Sequence, residues 1–392
     1  MPRIAAISDL HLGVPSSYLT LTDVKERLFA AIAKRAGGRL DALFLVGDVI
    51  DLAVGQFPDP WISAREFFAD LACQEFQIDK VIYIPGNHDH HLWVQLVESQ
   101  VLLPFLDASD GCEPPDLSSH RVFGYPTPLH DLFPKSLRKN VFFAYPHFSF
   151  CDKPAQTRFT FHHGHYLDPS ITPLGVSVAE DYRDLAKIEM YNLAYMESMF
   201  YFFSWDSAVQ ATELAAYDAV SKAEGFYRKL REIVMPQERL ERRGHLIRRG
   251  LQFVSRMRRR RLPAEQPQGI QSTCDSHMPS ISRARRLDML RDCINRNVSP
   301  AIAHDIWILG HTHRPAEWPK SEIEGTVKLY NLGGWVAPPR PEWDDPQTWP
   351  EPALFYWDRV TGPALEYVEI SPKDRQRLLN RVRGLQEIVK RQ

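Results

Sequence analysis

The stretch Arg3-Ile4-Ala5-Ala6-Ile7-Ser8-Asp9-Leu10-His11 decides the fold. A short apolar run of this kind reads as a buried strand. It ends in an Asp and a His two residues apart, so one local turn can aim both side chains the same way. The pattern recurs. Ala42 to Val46 leads into Gly47-Asp48-Val49-Ile50-Asp51, and Val81 to Ile84 into Gly86-Asn87-His88-Asp89. Arg158 to Phe161 leads into His162-His163-Gly164-His165, and Asp305 to Leu309 into Gly310-His311-Thr312-His313. Between the first strands, Asp23 to Ala36 predicts a helix with Leu28, Phe29 and Ile32 on one face and Gly37-Gly38 as its stop. A second helix is expected near Ser63 to Cys73. Alternating strands and helices predict an α/β fold, and open α/β sheets carry their chemistry at the C-terminal ends of strands.

The chain of 392 residues accommodates one large domain with an insertion, or two domains. A net charge of −2 points to no particular partner. The five cysteines are scattered, with no Cys-x-x-Cys pair, which argues against a disulfide framework or a zinc knuckle and suits a reducing cytoplasm. No leader is expected, because the first strand runs straight into Asp9. No apolar run approaches the ~20 residues that span a bilayer. The nearest, Met190 to Trp205, is short and carries Asn192 and Glu197.

Further strands are expected at Arg121 to Tyr125, Val141 to Tyr145, Val327 to Asn331, Ala353 to Trp357 and Leu365 to Ile370. Residues 166–300 read differently, as helices without a convincing strand. Ser177 and Glu180 form a capping box there. An aromatic run follows from Met190 to Trp205, then a helical stretch from Ser207 to Val234, an arginine-rich segment from Arg242 to Arg261, and a loose Pro/Gly/Gln/Ser linker from Leu262 to Pro279. Ser371-Pro372-Lys373-Asp374 opens a last helix whose Leu378, Leu379, Val382, Leu385 and Ile388 make one apolar stripe, suited to docking on the core or to dimerisation. The expected organisation is therefore a discontinuous core of 1–165 and 301–371, a helical insertion over 166–300, and a C-terminal helix over 372–392.

Carboxylate, imidazole and carboxamide groups suit Mn²⁺, Fe or Zn²⁺ rather than soft-metal thiolate chemistry. Asp48 can bridge two cations. In two-metal sites the ions lie ~3.5–4 Å apart, activate a water and clamp phosphoryl oxygens. His88 can serve as proton donor to a leaving oxygen, with Asp51 fixing its tautomer. His162 and His165 flank His163 and are expected to pack beside it rather than touch substrate.

These five motifs, in this order, resemble the calcineurin-type metallophosphoesterases, over roughly residues 1–165 and 301–335. The resemblance implies a β-sandwich flanked by helices. It implies one metal held by Asp9, His11, Asp48 and His313, and a second by Asp48, Asn87, His163 and His311, with His88 assisting catalysis. Mn²⁺ is the first expectation for both ions. The position of the insertion, with His311-Thr312-His313-Arg314-Pro315 and Leu332-Gly333-Gly334-Trp335, is similar to the UDP-2,3-diacylglucosamine hydrolases. That branch has Arg where this chain has His88, and a much shorter insertion.

The leading expectation is a metal-dependent hydrolase of a phosphodiester, pyrophosphate or phosphomonoester, with the insertion as a cap and a lipid-like or nucleotide-linked substrate. The arginine-rich segment suits contact with the anionic inner face of a membrane, and nucleic acid less well. Two alternatives stand beside it. One is a nuclease, suggested by Asp9-Leu10-His11-Leu12-Gly13 and Gly86-Asn87-His88-Asp89. The other is a metal-binding scaffold without turnover.

Overall fold

In the computed structural model, residues 2–53, 55, 57–107, 120–165, 196–197, 304–318, 327–338 and 345–391 are described. The capping box at Ser177, the arginine-rich segment and the linker lie outside these residues, as does the aromatic run apart from Met196 and Glu197.

Two sheets face each other. The first has seven strands: β1 (Arg3–Ile7), β3 (Ala42–Val46), β5 (Val81–Ile84), β6 (Arg121–Phe123), β7 (Val141–Tyr145), β13 (Ala353–Asp358) and β14 (Gly362–Tyr367). Their order is β14-β13-β1-β3-β5-β7-β6. The four central strands β1, β3, β5 and β7 run parallel, and antiparallel strands close both edges. The second sheet has the order β11-β12-β10-β9-β8. It consists of β8 (His147–Asp152), β9 (Thr157–His162), β10 (His304–Leu309), β11 (Ala316–Trp318) and β12 (Val327–Asn331). A short ladder joins β2 (Arg39–Leu40) to β4 (Gln77–Ile78).

Strand alternation divides the core in two. Ile4, Ala6, Phe44, Val46, Ile82 and Ile84 point into the space between the sheets and meet Phe159, Phe161, Ile306 and Ile308. The Phe44 and Phe161 rings stack there, with centroids 3.7 Å apart. Their neighbours Ala5, Ile7, Leu43, Leu45, Val81 and Tyr83 point outward under helices. Central strands covered on both faces carry apolar residues at every position, which is why they read as unbroken runs in the sequence.

The covering helices are α1 (Thr22–Ala36), α2 (Asp59–Ala72), α3 (His90–Val97), α4 (Leu103–Asp107) and α5 (Pro372–Arg391). Helix α1 buries Val24, Leu28, Phe29, Ile32 and Ala36, and stops at the left-handed Gly37 with φ 53°, as the sequence predicts. Helix α5 starts where expected, with Ser371 Oγ accepting from the Asp374 amide at 3.1 Å. Its Leu378, Leu379 and Val382 are buried in the outer core, so that part of the stripe docks within the chain.

Several elements differ from the sequence reading. Helix α3, its continuation through a π-helical turn at Glu98–Leu102, and α4 were not expected. Eight residues of α3 give barely two turns of periodicity, too little to separate a helix from an apolar run. Strand β8 was also missed. It is an edge strand, where burial imposes little pattern. No helix among the described residues is long and apolar enough to cross a membrane.

Candidate metal centre

The five motifs meet at one end of the sandwich. Strands β1, β3 and β5 of the first sheet deliver Asp9 and His11, Asp48 and Asp51, and Asn87 and His88. Strands β9 and β10 of the second deliver His163, and His311 with His313. Backbone bonds bind the loops to one another. The His11 amide donates to Asp48 O at 2.9 Å, Gly310 N donates to His163 O at 2.8 Å, and Trp335 N donates to Asp9 O at 2.9 Å.

Backbone strain gathers at this end. Among the described residues, six non-glycine residues have positive φ, and five of them are Asp9, His11, Asp48, His311 and His313. Such conformations cost energy and persist where the surroundings over-determine them. Close packing adds a second constraint. A Cβ on Gly86 would land on the Asp48 carboxylate, and one on Gly310 would land on Ser8 Oγ.

The donor atoms converge. Asp9, His11, Asp48 and His313 each offer a ligand atom within 4.8 Å of the others, and Asp48, His163 and His311 do the same. Asn87 Oδ1 lies 3.1 Å from His163 Nε2 and 3.0 Å from His311 Nδ1. All seven residues that the sequence nominated as ligands are thus brought together around the Asp48 carboxylate.

Hydrogen bonds fix how two of the imidazoles present themselves. His163 Nδ1 donates to Val46 O at 3.0 Å, which turns its Nε2 toward the cluster. Nε2 faces two oxygens, Asp48 Oδ2 at 3.0 Å and Asn87 Oδ1 at 3.1 Å. His11 Nδ1 donates to Asp51 Oδ2 at 2.8 Å, which turns its Nε2 toward His313 Nε2 at 3.0 Å. Buried Asp48 Oδ2 accepts no well-formed hydrogen bond. Buried carboxylate oxygens of this kind require positive charge beside them, which imidazolium protons supply until a cation takes their place. Asp9, His11, Asp48 and His313 form one donor group that could hold a metal ion, and Asp48, His163 and His311 form another that shares Asp48.

The electrostatics agree. Burial alone would raise the Asp9 and Asp48 carboxyls, but the surrounding imidazoles outweigh it and hold both below the usual range. Burial works against a charged His163, and the Asp48 and Asp9 carboxylates overcome it, raising the imidazole to about 9.

His88 stands beside the cluster. Its amide donates to Asp48 Oδ1 at 2.7 Å, and its Nδ1 donates to Asp51 Oδ1 at 3.1 Å. Burial opposes its charge, but Asp51 and Asp48 prevail and lift it to about 10. Asp51 therefore serves two rings, His11 and His88, where the sequence suggested only His88. His11, Asp51 and His88 also satisfy the spacing of a metal-holding group. Their facing atoms already form hydrogen bonds, so this trio reads as a proton-holding unit.

Two participants were missed. Asp89, fully buried, accepts from the Gly86, Asp48 and Val49 amides and from Tyr83 Oη, the last at 2.6 Å. It ties the Asp48 loop to the Asn87 loop. Its place in the motif was a signal for it; nothing in the sequence marked Tyr83. His162 and His165 are buried beside His163, as packing histidines would be, and His162 Nδ1 accepts from the Gly164 amide at 2.8 Å.

Comparison with known proteins adds the following. No curated protein matches this chain. GAP50, the anchor in the inner membrane complex of Plasmodium, is a similar solved structure at 10% identity, covering 98% of this chain and 94% of that one with a TM-score of 0.32. Residues 2–206 match the family model of the calcineurin-like phosphoesterases. That match takes in more than half of the chain and the first four motifs, so the chain belongs to the calcineurin-like phosphoesterase family.

Proposed function

We propose that this protein hydrolyses a phosphate ester or pyrophosphate with a dinuclear metal centre. The observation that carries the reading is the convergence of two donor groups on the shared Asp48 carboxylate, with His163 and His11 oriented from behind by Val46 O and Asp51. Asp9, His11, Asp48 and His313 would hold one cation, and Asp48, Asn87, His163 and His311 would hold the other. Bound there, Mn²⁺, or Fe or Zn²⁺ in its place, would supply Lewis-acid charge for the phosphoryl oxygens and lower the pKa of an attacking water.

The chain's own residues do the rest. His88 presents Nε2 while Asp51 holds Nδ1, so it can donate a proton or a hydrogen bond to the leaving oxygen. Asp89 keeps the Asp48 and Asn87 loops in register. For the substrate we favour an amphiphilic phosphate or pyrophosphate. The aromatic run from Met190 to Trp205 and the basic segment from Arg242 to Arg261 support it, as groups suited to acyl chains and to an anionic membrane surface.

The test is hydrolysis of bis-p-nitrophenyl phosphate and p-nitrophenyl phosphate after Mn²⁺ loading, with Asp48→Asn as control. Turnover abolished in Asp48→Asn, together with loss of both bound metals, is the expected result. Two metal equivalents retained by Asp48→Asn would refute the bridging role. Two metals bound by an inactive wild type, across diesters, monoesters and pyrophosphates, would turn the reading into a metal-binding scaffold. Steeply salt-dependent DNA binding with cleavage would make it a nuclease.

A further inference from the structure

Glu197 is far from the motifs in sequence, yet it reaches the element that follows the third one. Its Oε1 lies 2.9 Å from His90 Nδ1 and its Oε2 lies 2.6 Å from His91 Nδ1. One carboxylate thus grips the first two residues of helix α3. The contact is sheltered: the side chains of His90, His91 and Glu197 are 1%, 12% and 14% exposed. Met196, beside Glu197, is buried as well. The His90 ring is further held edge-on against Tyr145, with centroids 5.3 Å apart. Burial would raise the Glu197 carboxyl, but bonds to the two imidazoles bring it down to about 2.

The first turn of α3 is coupled to the reaction centre. His90 directly follows Asp89, which collects the Gly86, Asp48 and Val49 amides. His88, two residues before His90, receives Leu52 N on its carbonyl at 3.1 Å and donates its amide to Asp48 at 2.7 Å. A shift of α3 therefore moves His88 relative to Asp51 and Asp48. Helix α3 gains no side-chain hydrogen bond from its own N-cap, because the Asp89 carboxylate is committed to the loops behind it. The grip on its first turn comes from Glu197.

We infer that Glu197 is a positioning residue for the reaction: through His90 and His91 it fixes the start of α3, and with it the Asn87–His88 loop. Residue 197 lies in sequence between the fourth and fifth motifs, and at Glu197 the chain between them reaches the start of α3. The inference rests on the phosphoesterase reading for its kinetic consequence but not for its structural one.

The test uses the full chain and two readouts. Amide hydrogen exchange over residues 85–97 is compared in wild type, Glu197→Gln and Glu197→Asp. Glu197→Gln keeps the shape but loses the charge that binds two imidazoles, and it should speed exchange in 85–97 about tenfold while β1 and β3 stay protected. With Mn²⁺ loaded, turnover of bis-p-nitrophenyl phosphate should fall ~10-fold or more at near-constant KM, because a misplacement of 1 Å in a catalytic group can cost ~10²-fold. Glu197→Asp should recover part of the rate. On a His88→Ala background Glu197→Gln should add little, a non-additivity that a loss of general stability would not produce. Unchanged exchange over 85–97, or a fully additive double mutant, would overturn the inference. A wild type with no turnover would count against the phosphoesterase reading alone, and the exchange comparison would still decide whether Glu197 holds the loop.

Discussion

Asp51→Asn is the sharpest perturbation of this centre, because it changes one atom and one charge between two histidines. Asp51 Oδ2 accepts from His11 Nδ1 at 2.8 Å and Oδ1 accepts from His88 Nδ1 at 3.1 Å. An amide has one acceptor and one donor end, so it satisfies one ring and opposes the other. The Ala53 amide decides which. It donates to Oδ1 at 3.2 Å, so the amide oxygen stays on that side and keeps His88. The NH₂ group then confronts the N–H of His11. A lost charge-assisted hydrogen bond is worth ~1.5–3 kcal/mol. Spent on a ligand's orientation, that is ~10–100-fold in metal affinity. His88 keeps its partner but loses the carboxylate charge that, after the opposing effect of burial, does most to hold it near 10. Its titration should move down toward the ordinary imidazole range. The alkaline limb of the rate profile, where His88 gives up its proton, should then fall at lower pH. The assay is a Mn²⁺ titration of the metal-free variant, followed by pH–rate profiles at saturating metal. Wild-type metal affinity with an unmoved alkaline limb would refute the double role of Asp51.

Other outcomes follow from the same contacts. His88→Ala should retain its metals while turnover falls ~10²–10⁴-fold, the usual worth of a positioned acid; an unchanged rate would make His88 structural. Leu378→Ala, at a fully buried position of α5, should cost ~2–5 kcal/mol in denaturant unfolding without making the transition concentration-dependent. A loss below ~1 kcal/mol would place the helix elsewhere than in the core. Glu197, brought from 4.5 to about 2, contributes stability that is complete above the unfolded value and is lost as pH falls between the two. After allowance for partial exposure the contribution is ~2 kcal/mol. The melting-temperature gap between wild type and Glu197→Gln should therefore be widest near pH 6 and narrow toward pH 3. A gap independent of pH in that range would remove the ionised carboxylate from the account.

The sequence by itself determined the chemistry of the site and its support. Each motif alone is a weak signal, but five in order after strands resemble the metallophosphoesterase set, and that resemblance made Asp9, His11, Asp48, Asn87, His163, His311 and His313 legible as ligands. The central strands were legible on their own, since burial on both faces leaves no polar position to interrupt them. The left-handed turns at Asp9, His11 and Asp48 were not, because Asp and His favour positive φ only relative to other side chains and still adopt it rarely. Helix α3 and strand β8 were too short or too near an edge to show a period. Only the tertiary structure decided which atom faces which. It set Asp51 between His11 and His88, Asp89 behind two loops, and Glu197 against His90 and His91. These contacts join residues that are 37 to 107 positions apart, except for the reach of Asp89 to its own loop and to Tyr83. A carboxylate's partners at such separations depend on how strands stack and loops cross, and no local pattern of residues encodes that.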